Sequence, residues 1–115
     1  MNTDRRTKVA AIIQELTAMF IRNEANSDPL ITVTNIDLSP DFKRAIIFVT
    51  TIPDGREHDA VIFLKRNASE LRHFLRAKSK IGNIPHLEFM VDAGEKHRQH
   101  MDEIVRQIEN EKSAD

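Results

Sequence analysis

Between positions 64 and 85 the chain reads LKRNASELRHFLRAKSKIGNIP, with six basic residues and one acid, Glu70. The bases are Lys65, Arg66, Arg72, Arg76, Lys78 and Lys80. On one continuous helix, Lys65, Arg72, Arg76 and Lys80 would follow at spacings of 7, 4 and 4. They would form a stripe of cations beside an apolar stripe through Leu64, Ala68, Leu71 and Leu75. A line of positive charge suits an RNA backbone, because phosphates repeat at regular intervals. The plainer reading is a solvated helix face, since Lys and Arg are good helix formers whose stems cover apolar surface. Arg5, Arg6 and Lys8, and further along Lys43 and Arg44, are candidates to extend the basic surface. The expected RNA-binding set is thus Arg5, Arg6, Lys8, Lys43, Arg44, Lys65, Arg72, Arg76, Lys78 and Lys80. Of these, Arg72, Arg76 and Lys80 are expected to point out of the core toward phosphates.

Other chemistry finds less support. There is no Cys, which removes thiolate zinc sites, disulfides and a cysteine nucleophile. Three glycines supply neither a P-loop nor a dinucleotide fingerprint. His97, His100 and Glu103 would share one side of a helix, but such a row more often makes a solvated polar face than a metal site. No catalytic residue, metal or cofactor is expected, and the chain does not read as an enzyme. Trp and Tyr are absent, so any aromatic contact rests on six Phe. Phe42 and Phe48 fall in or near strands without an RRM-like pattern, so contact with RNA backbone and shape is expected ahead of base edges.

The 115 residues fit one domain, and 40% hydrophobic content is that of a globular chain. The formal charge of −1 hides a gradient: residues 65–80 are strongly basic, whereas the last 21 residues hold four bases and six acids. No apolar run approaches the ~20 residues that cross a bilayer. The first residues lack the apolar segment of a secretory signal. A cytoplasmic monomer with no membrane partner is expected.

Residues 4–23 place Val9, Ile12, Ile13, Leu16, Met19 and Phe20 at helical spacing, with Asp4 as a candidate N-cap. LITVTNIDLS follows as a strand with Ile31 and Val33 on one face and Thr32, Thr34 and Ile36 on the other. RAIIFVTTI is apolar on both faces, as in a central strand. SPDF between them carries turn chemistry, which predicts an antiparallel hairpin. PDGREH at 53–58 reads as a turn. A helix broken at NAS then follows, with Ser69 a candidate cap for its second half and Gly82 its end. PHLEFMVD is a third strand with Leu87, Phe89 and Val91 on one face. Residues 96–111 form a last helix with Met101, Ile104, Val105 and Ile108 aligned. The expected fold is α+β: a three-stranded sheet covered by helices on one face, in the order αββααβ of a type II KH domain. Residues 4–94 are the expected domain, and 95–115 a C-terminal helix with a frayed tail. Core candidates are Leu16, Phe20, Val33, Ile47, Val49, Leu71 and Leu75.

From about residue 5 to 110 the chain resembles the ribosome-binding factor A family, bacterial small-subunit assembly factors. KVAAIIQELTAMF is similar to that family's first helix. DPLITVTNIDLSPDFKRAIIFVT has its Asp-Pro, Thr-Val-Thr strand, hairpin Ser and Asp, and alternating second strand. ASELRHFL and IPHLEFMVD fit its later helix and third strand, including Leu71, Arg72, Pro85, Leu87, Phe89 and Asp92. The resemblance implies a KH-like fold that binds the immature small ribosomal subunit and its 16S rRNA. It implies help with rRNA maturation near the 5′ end, release before translation, and a link to growth in the cold. The family's Ala-x-Gly kink corresponds here to Ala68-Ser69-Glu70, so Glu70 stands in the place of the glycine. Gly82 also falls where relatives often carry Arg. The competing reading is a small protein–protein module that docks through its apolar C-terminal helix.

Overall fold

A computed structural model describes residues 2–25 and 28–94. The predicted last helix, with Met101, Ile104, Val105 and Ile108, and the row His97, His100 and Glu103, lie outside the described residues. Six elements follow in order: α1 (Asn2–Glu24), β1 (Leu30–Leu38), β2 (Arg44–Ile52), α2 (Glu57–Arg66), α3 (Ala68–Lys78) and β3 (His86–Val91). The sheet order is β1-β2-β3, with β2 central. The short turn after β1 makes β1 and β2 an antiparallel pair, while β3 runs parallel to β2. A parallel neighbour needs a crossover, and α2 with α3 supplies it. This is the αββααβ, KH-like arrangement expected from the order of elements.

The described helices pack on one face of the sheet. From β2, Ala45, Ile47 and Val49 are fully buried beneath them, joined by Leu87 and Phe89 of β3. Leu64, Leu71 and Leu75 descend from α2 and α3, and Phe20 of α1 meets Phe74 of α3 with ring centroids 5.7 Å apart. Each of the Ile, Val, Leu and Phe side chains contributes roughly 1.5–3 kcal/mol by leaving water. The opposite face is open among the described residues, with Leu30, Ile52 and Met90 exposed.

Several local expectations change. Helix α1 begins at Asn2, two residues before Asp4. Its buried row is Ile13, Thr17, Phe20 and Ile21, so Leu16 is only half-buried and Ile12 is exposed. Thr17 lies at the centre of that face with no exposure. In β1 the strict alternation fails. Val33 pairs with Val49 and Asn35 with Phe48, which leaves Thr34 as the extra residue of a bulge. The bulge shifts the inward phase by one residue, so Ile36, expected on the face opposite Val33, joins it in the core together with Leu38. Helix α2 starts at Glu57, inside the predicted turn, and Glu57 is itself buried.

Candidate nucleic-acid interface

The basic stretch is not one helix. Asn67, with φ −104° and ψ 12°, separates α2 from α3. Its backbone N–H donates to the carbonyls of Phe63 and Leu64 at 3.1 and 3.2 Å. Its side-chain amide donates to Phe63 O at 2.8 Å, and its own carbonyl accepts from the Leu71 N–H. Asn67 therefore closes one helix and opens the next. Ser69 lies within α3 and does not cap it; the first turn of α3 has no side-chain cap at all. The second break comes early. Helix α3 stops at Lys78, and the extended Ser79 ties its hydroxyl to Leu75 O at 2.6 Å. Gly82, with φ 88°, belongs to the following loop and not to the helix end. Lys65 is thus on α2, Arg72, Arg76 and Lys78 are on α3, and Lys80 is on a loop. The single stripe is divided among three elements.

Arg72 departs furthest from expectation. It is half-buried, and its guanidinium donates to the carbonyls of Pro85 and Ile84, the latter at 3.2 Å. Its planar fork spans two adjacent acceptors and holds the loop before β3 against α3. It does not face outward as a free cation. Arg76, Lys78 and Lys80 are exposed.

Other cations are collected by tertiary structure. One groove of about 350 Å³ wraps the outer edge of β3 beside the α2–α3 junction. Lys65, Arg44 and His86 stand on its rim, with Ala68, Ile46, Leu87 and Met90 among its apolar lining. Arg44 is ion-paired with Glu88 across β2 and β3, with a second bond from its Nη2 at 3.1 Å. That pairing holds the Glu88 carboxyl below the usual carboxylate range and raises the Arg44 guanidinium. Glu88 therefore offsets part of the positive charge in the groove.

The preceding position, Lys43, opens onto a second cleft with Arg5, Asp41, Phe42 and Asn83. Here the turn is tightly built. The Ser39 hydroxyl donates to Asp41 Oδ1 at 2.6 Å and the Lys43 N–H to the same oxygen at 3.1 Å. These bonds hold the Asp41 carboxyl below its ordinary range, the Ser39 contribution being the larger. The guanidinium of Arg5 lies 5.3 Å from the centroid of the Phe42 ring, a cation–π contact. Arg6 lines a separate groove between α1 and β1 with Asn35 and Asp37, while Lys8 is exposed on α1. The structure thus places Lys65, Arg44 and His86 on the groove at the β3 edge, and Lys43, Arg5, Phe42 and Asn83 on the cleft at the β1–β2 turn. The two surfaces adjoin where Lys43 precedes Arg44 and the Lys43 carbonyl accepts from the His86 N–H, and together they are the basic belt; Arg6 lines neither. Charge reasoning passed over His86 and Asn83, whose only sequence signal was their nearness to Pro85 at the start of the third strand.

Among the described residues, no group of three or more His, Asp or Glu comes together to hold a metal ion, and no helix is long and apolar enough to cross a membrane.

The fold is shared with solved proteins. It superposes on the crystal structure of ribosome-binding factor A from Thermus thermophilus with a TM-score of 0.67 at 22% identity, covering 75% of this chain and 93% of that one. A Thermus thermophilus ribosome-binding factor A homology model, fitted into a cryo-EM map of a 30S complex, gives 0.61 at 23% identity over 70% of this chain and 88% of that one. In sequence, ribosome-binding factor A of Thermomicrobium roseum is 26% identical over 100% of this chain and 92% of its own length. That of Coxiella burnetii (strain Dugway 5J108-111) is 28% identical over 78% of this chain and 77% of its own. The model of the family described as Ribosome-binding factor A matches residues 5–105, and the chain belongs to that family.

Proposed function

We propose that this protein binds the immature small ribosomal subunit through its 16S rRNA and assists maturation of that RNA near its 5′ end. It acts in the cytoplasm as a monomer without a cofactor, leaves before translation, and matters most for growth in the cold. The observation that carries this reading is the belt from Lys65 through Arg44 and Lys43 to Arg5. It lies on a fold shared with a protein fitted into a 30S complex. The belt follows a groove and a strand edge, where an RNA backbone can lie while its phosphates meet successive cations. The exposed Arg76, Lys78 and Lys80 widen the positive field around it.

Co-sedimentation with immature small subunits, mature small subunits and whole ribosomes tests this reading. Immature subunits should retain the protein best. Four neutralised phosphates predict a slope of about −3 to −4 for log affinity against log salt. Lys65→Glu, Lys43→Glu and Arg76→Glu together should abolish retention while the fold survives, because exposed charges contribute little to stability. Arg22→Glu with Arg56→Glu is the control away from the belt. Retention that ignores salt and the triple change, yet fails in the control, would favour a protein-docking module instead.

A further inference from the structure

The cleft at the β1–β2 turn has more structure than phosphate binding requires. Its floor is apolar, built from Val9 of α1, Phe42 of the turn, and Ile81 and Pro85 of the loop before β3. Its rim carries Arg5, Lys43, Asn83 and the Asp41 carboxylate. The space is about 340 Å³, within the range of small-ligand sites. Phe42 adopts φ 62°, a conformation that bulky L residues seldom take. The turn enforces it: the Phe42 N–H donates to Ser39 O at 2.9 Å, and the Asp41 carboxylate is locked by Ser39 and Lys43 on either side. The half-buried ring packs against the core and carries the Arg5 guanidinium 5.3 Å from its centroid. The facing wall is braced from behind by the Arg72 bonds to Ile84 and Pro85.

We infer that this cleft takes one unstacked nucleobase of single-stranded RNA, stacked against the Arg5–Phe42 pair and walled by the loop before β3. Apolar walls and a polar rim match a base, which has apolar faces and hydrogen-bonding edges. Phe42 and the guanidinium plane of Arg5 are both stacking partners for bases. At the rim, Arg5 and Lys43 only donate, the Asp41 carboxylate only accepts, and the Asn83 amide donates and accepts. Two cations beside one carboxylate favour guanine, whose O6 and N7 accept and whose N2 amino group donates. Phosphate alone would not need the apolar floor, and an apolar peptide would not need the cations. The inference rests on the RNA-binding reading above and adds to it a point of sequence preference that backbone contacts lack.

The test uses the full chain. Amide NMR spectra are followed during separate titrations with guanosine monophosphate, uridine monophosphate, ribose 5-phosphate and inorganic phosphate. The guanine nucleotide should shift the amides of Phe42, Lys43, Gly82 and Asn83 most, and the two base-free phosphates, which the Arg5 and Lys43 cations also attract, should shift them clearly less. In parallel, anisotropy measures affinity for a guanine-containing single-stranded hexamer and the same hexamer with an abasic position. Phe42→Leu retains apolar volume and loses the stacking face, so it should weaken the guanine hexamer about 5- to 100-fold and leave the abasic one unchanged. Asn83→Ala should lower the preference for guanine over uracil. Equal shifts from ribose 5-phosphate and the guanine nucleotide would reduce the cleft to a phosphate site and overturn the inference. Phe42→Leu binding like the parent, while Lys65→Glu weakens every RNA, would overturn the base cleft and leave the RNA-binding surface standing. No binding of any hexamer by the parent would remove both. If Phe42→Leu does not fold, the nucleotide shifts and Asn83→Ala decide.

Discussion

Thr34 and Asp92 stand 58 positions apart in the chain, yet the Thr34 hydroxyl donates a hydrogen bond to the Asp92 carboxylate across the central strand. Thr34 is the extra residue of the β1 bulge, and Asp92 directly follows β3. The bond joins the two outer strands over β2, where the Asp92 N–H also donates to Val49 O at 2.9 Å. Thr34→Val keeps the shape and removes the donor. It should cost about 1–2 kcal/mol in urea denaturation, with faster amide exchange at Asp92. An unchanged midpoint would mean that other contacts hold the bulge.

Arg72 is a structural cation. Arg72→Lys keeps the charge but replaces a planar fork by a single point donor. It should cost about 1–3 kcal/mol, since buried carbonyls lose partners, and exchange should quicken in residues 79–86. Arg76→Glu, one turn away and exposed, should stay within about 0.5 kcal/mol. Equal stability of the two variants would show that the Arg72 bonds contribute nothing. A charge-reversal series aimed at RNA should therefore leave Arg72 in place.

Two buried positions predict opposite signs. Leu71 is fully buried beneath the crossover, so Leu71→Ala should lose about 2–5 kcal/mol through transfer and cavity costs. Thr17 is as deeply buried, and its hydroxyl has no hydrogen-bond partner among the described residues. Thr17→Val replaces that hydroxyl with a methyl group of similar shape and should stabilise by about 1 kcal/mol. Thermal unfolding of both variants separates these outcomes. A destabilised Thr17→Val would imply a partner for the hydroxyl.

Acid should weaken the turn end of the molecule. Glu88 and Asp41 both titrate below their ordinary range when folded, Glu88 through Arg44 and Asp41 through Ser39. A lowered folded pKa gives stability that is present above the unfolded value, about 4 for these carboxyls. That stability is lost as pH falls through the folded value. Stability should therefore be level from neutral pH to about 5 and decline below about 4. Glu88→Gln should flatten part of that decline. Both groups are exposed, so the effect is small and salt-sensitive. An unaltered acid profile in Glu88→Gln would assign the decline to other groups.

Much of the fold was legible in the chain because burial imposes a period. Ala45, Ile47 and Val49 alternate, and Leu64, Leu71 and Leu75 recur at helical spacing, so both central elements and their inward faces follow from the pattern. The phase error in β1 has a physical cause: a bulge adds one residue to a strand without leaving a compositional mark, and Thr34 is as ordinary a strand residue as Thr32. The face of α1 was misjudged because hydropathy ranked Leu16 and Ile12 above Thr17. Packing over the sheet selected the row 13, 17, 20 and 21.

The candidate site was legible as charge and not as geometry. Local composition by itself determined that residues 65–80 are basic, that a turn occurs at Ser39–Phe42, and that a break falls near Asn67. Those are short-range properties of the backbone and of side-chain type. Which cations share a surface was decided by the crossover and the parallel placement of β3. These bring the kink, the β3 edge, the β1–β2 turn and the start of α1 to neighbouring grooves. The same long-range packing set Arg72 on the carbonyls of Ile84 and Pro85 and left Lys65 and Lys43 to the solvent. The roles of identical charges therefore depend on which acceptors the folded chain brings within hydrogen-bond reach, and no spacing along the chain encodes that.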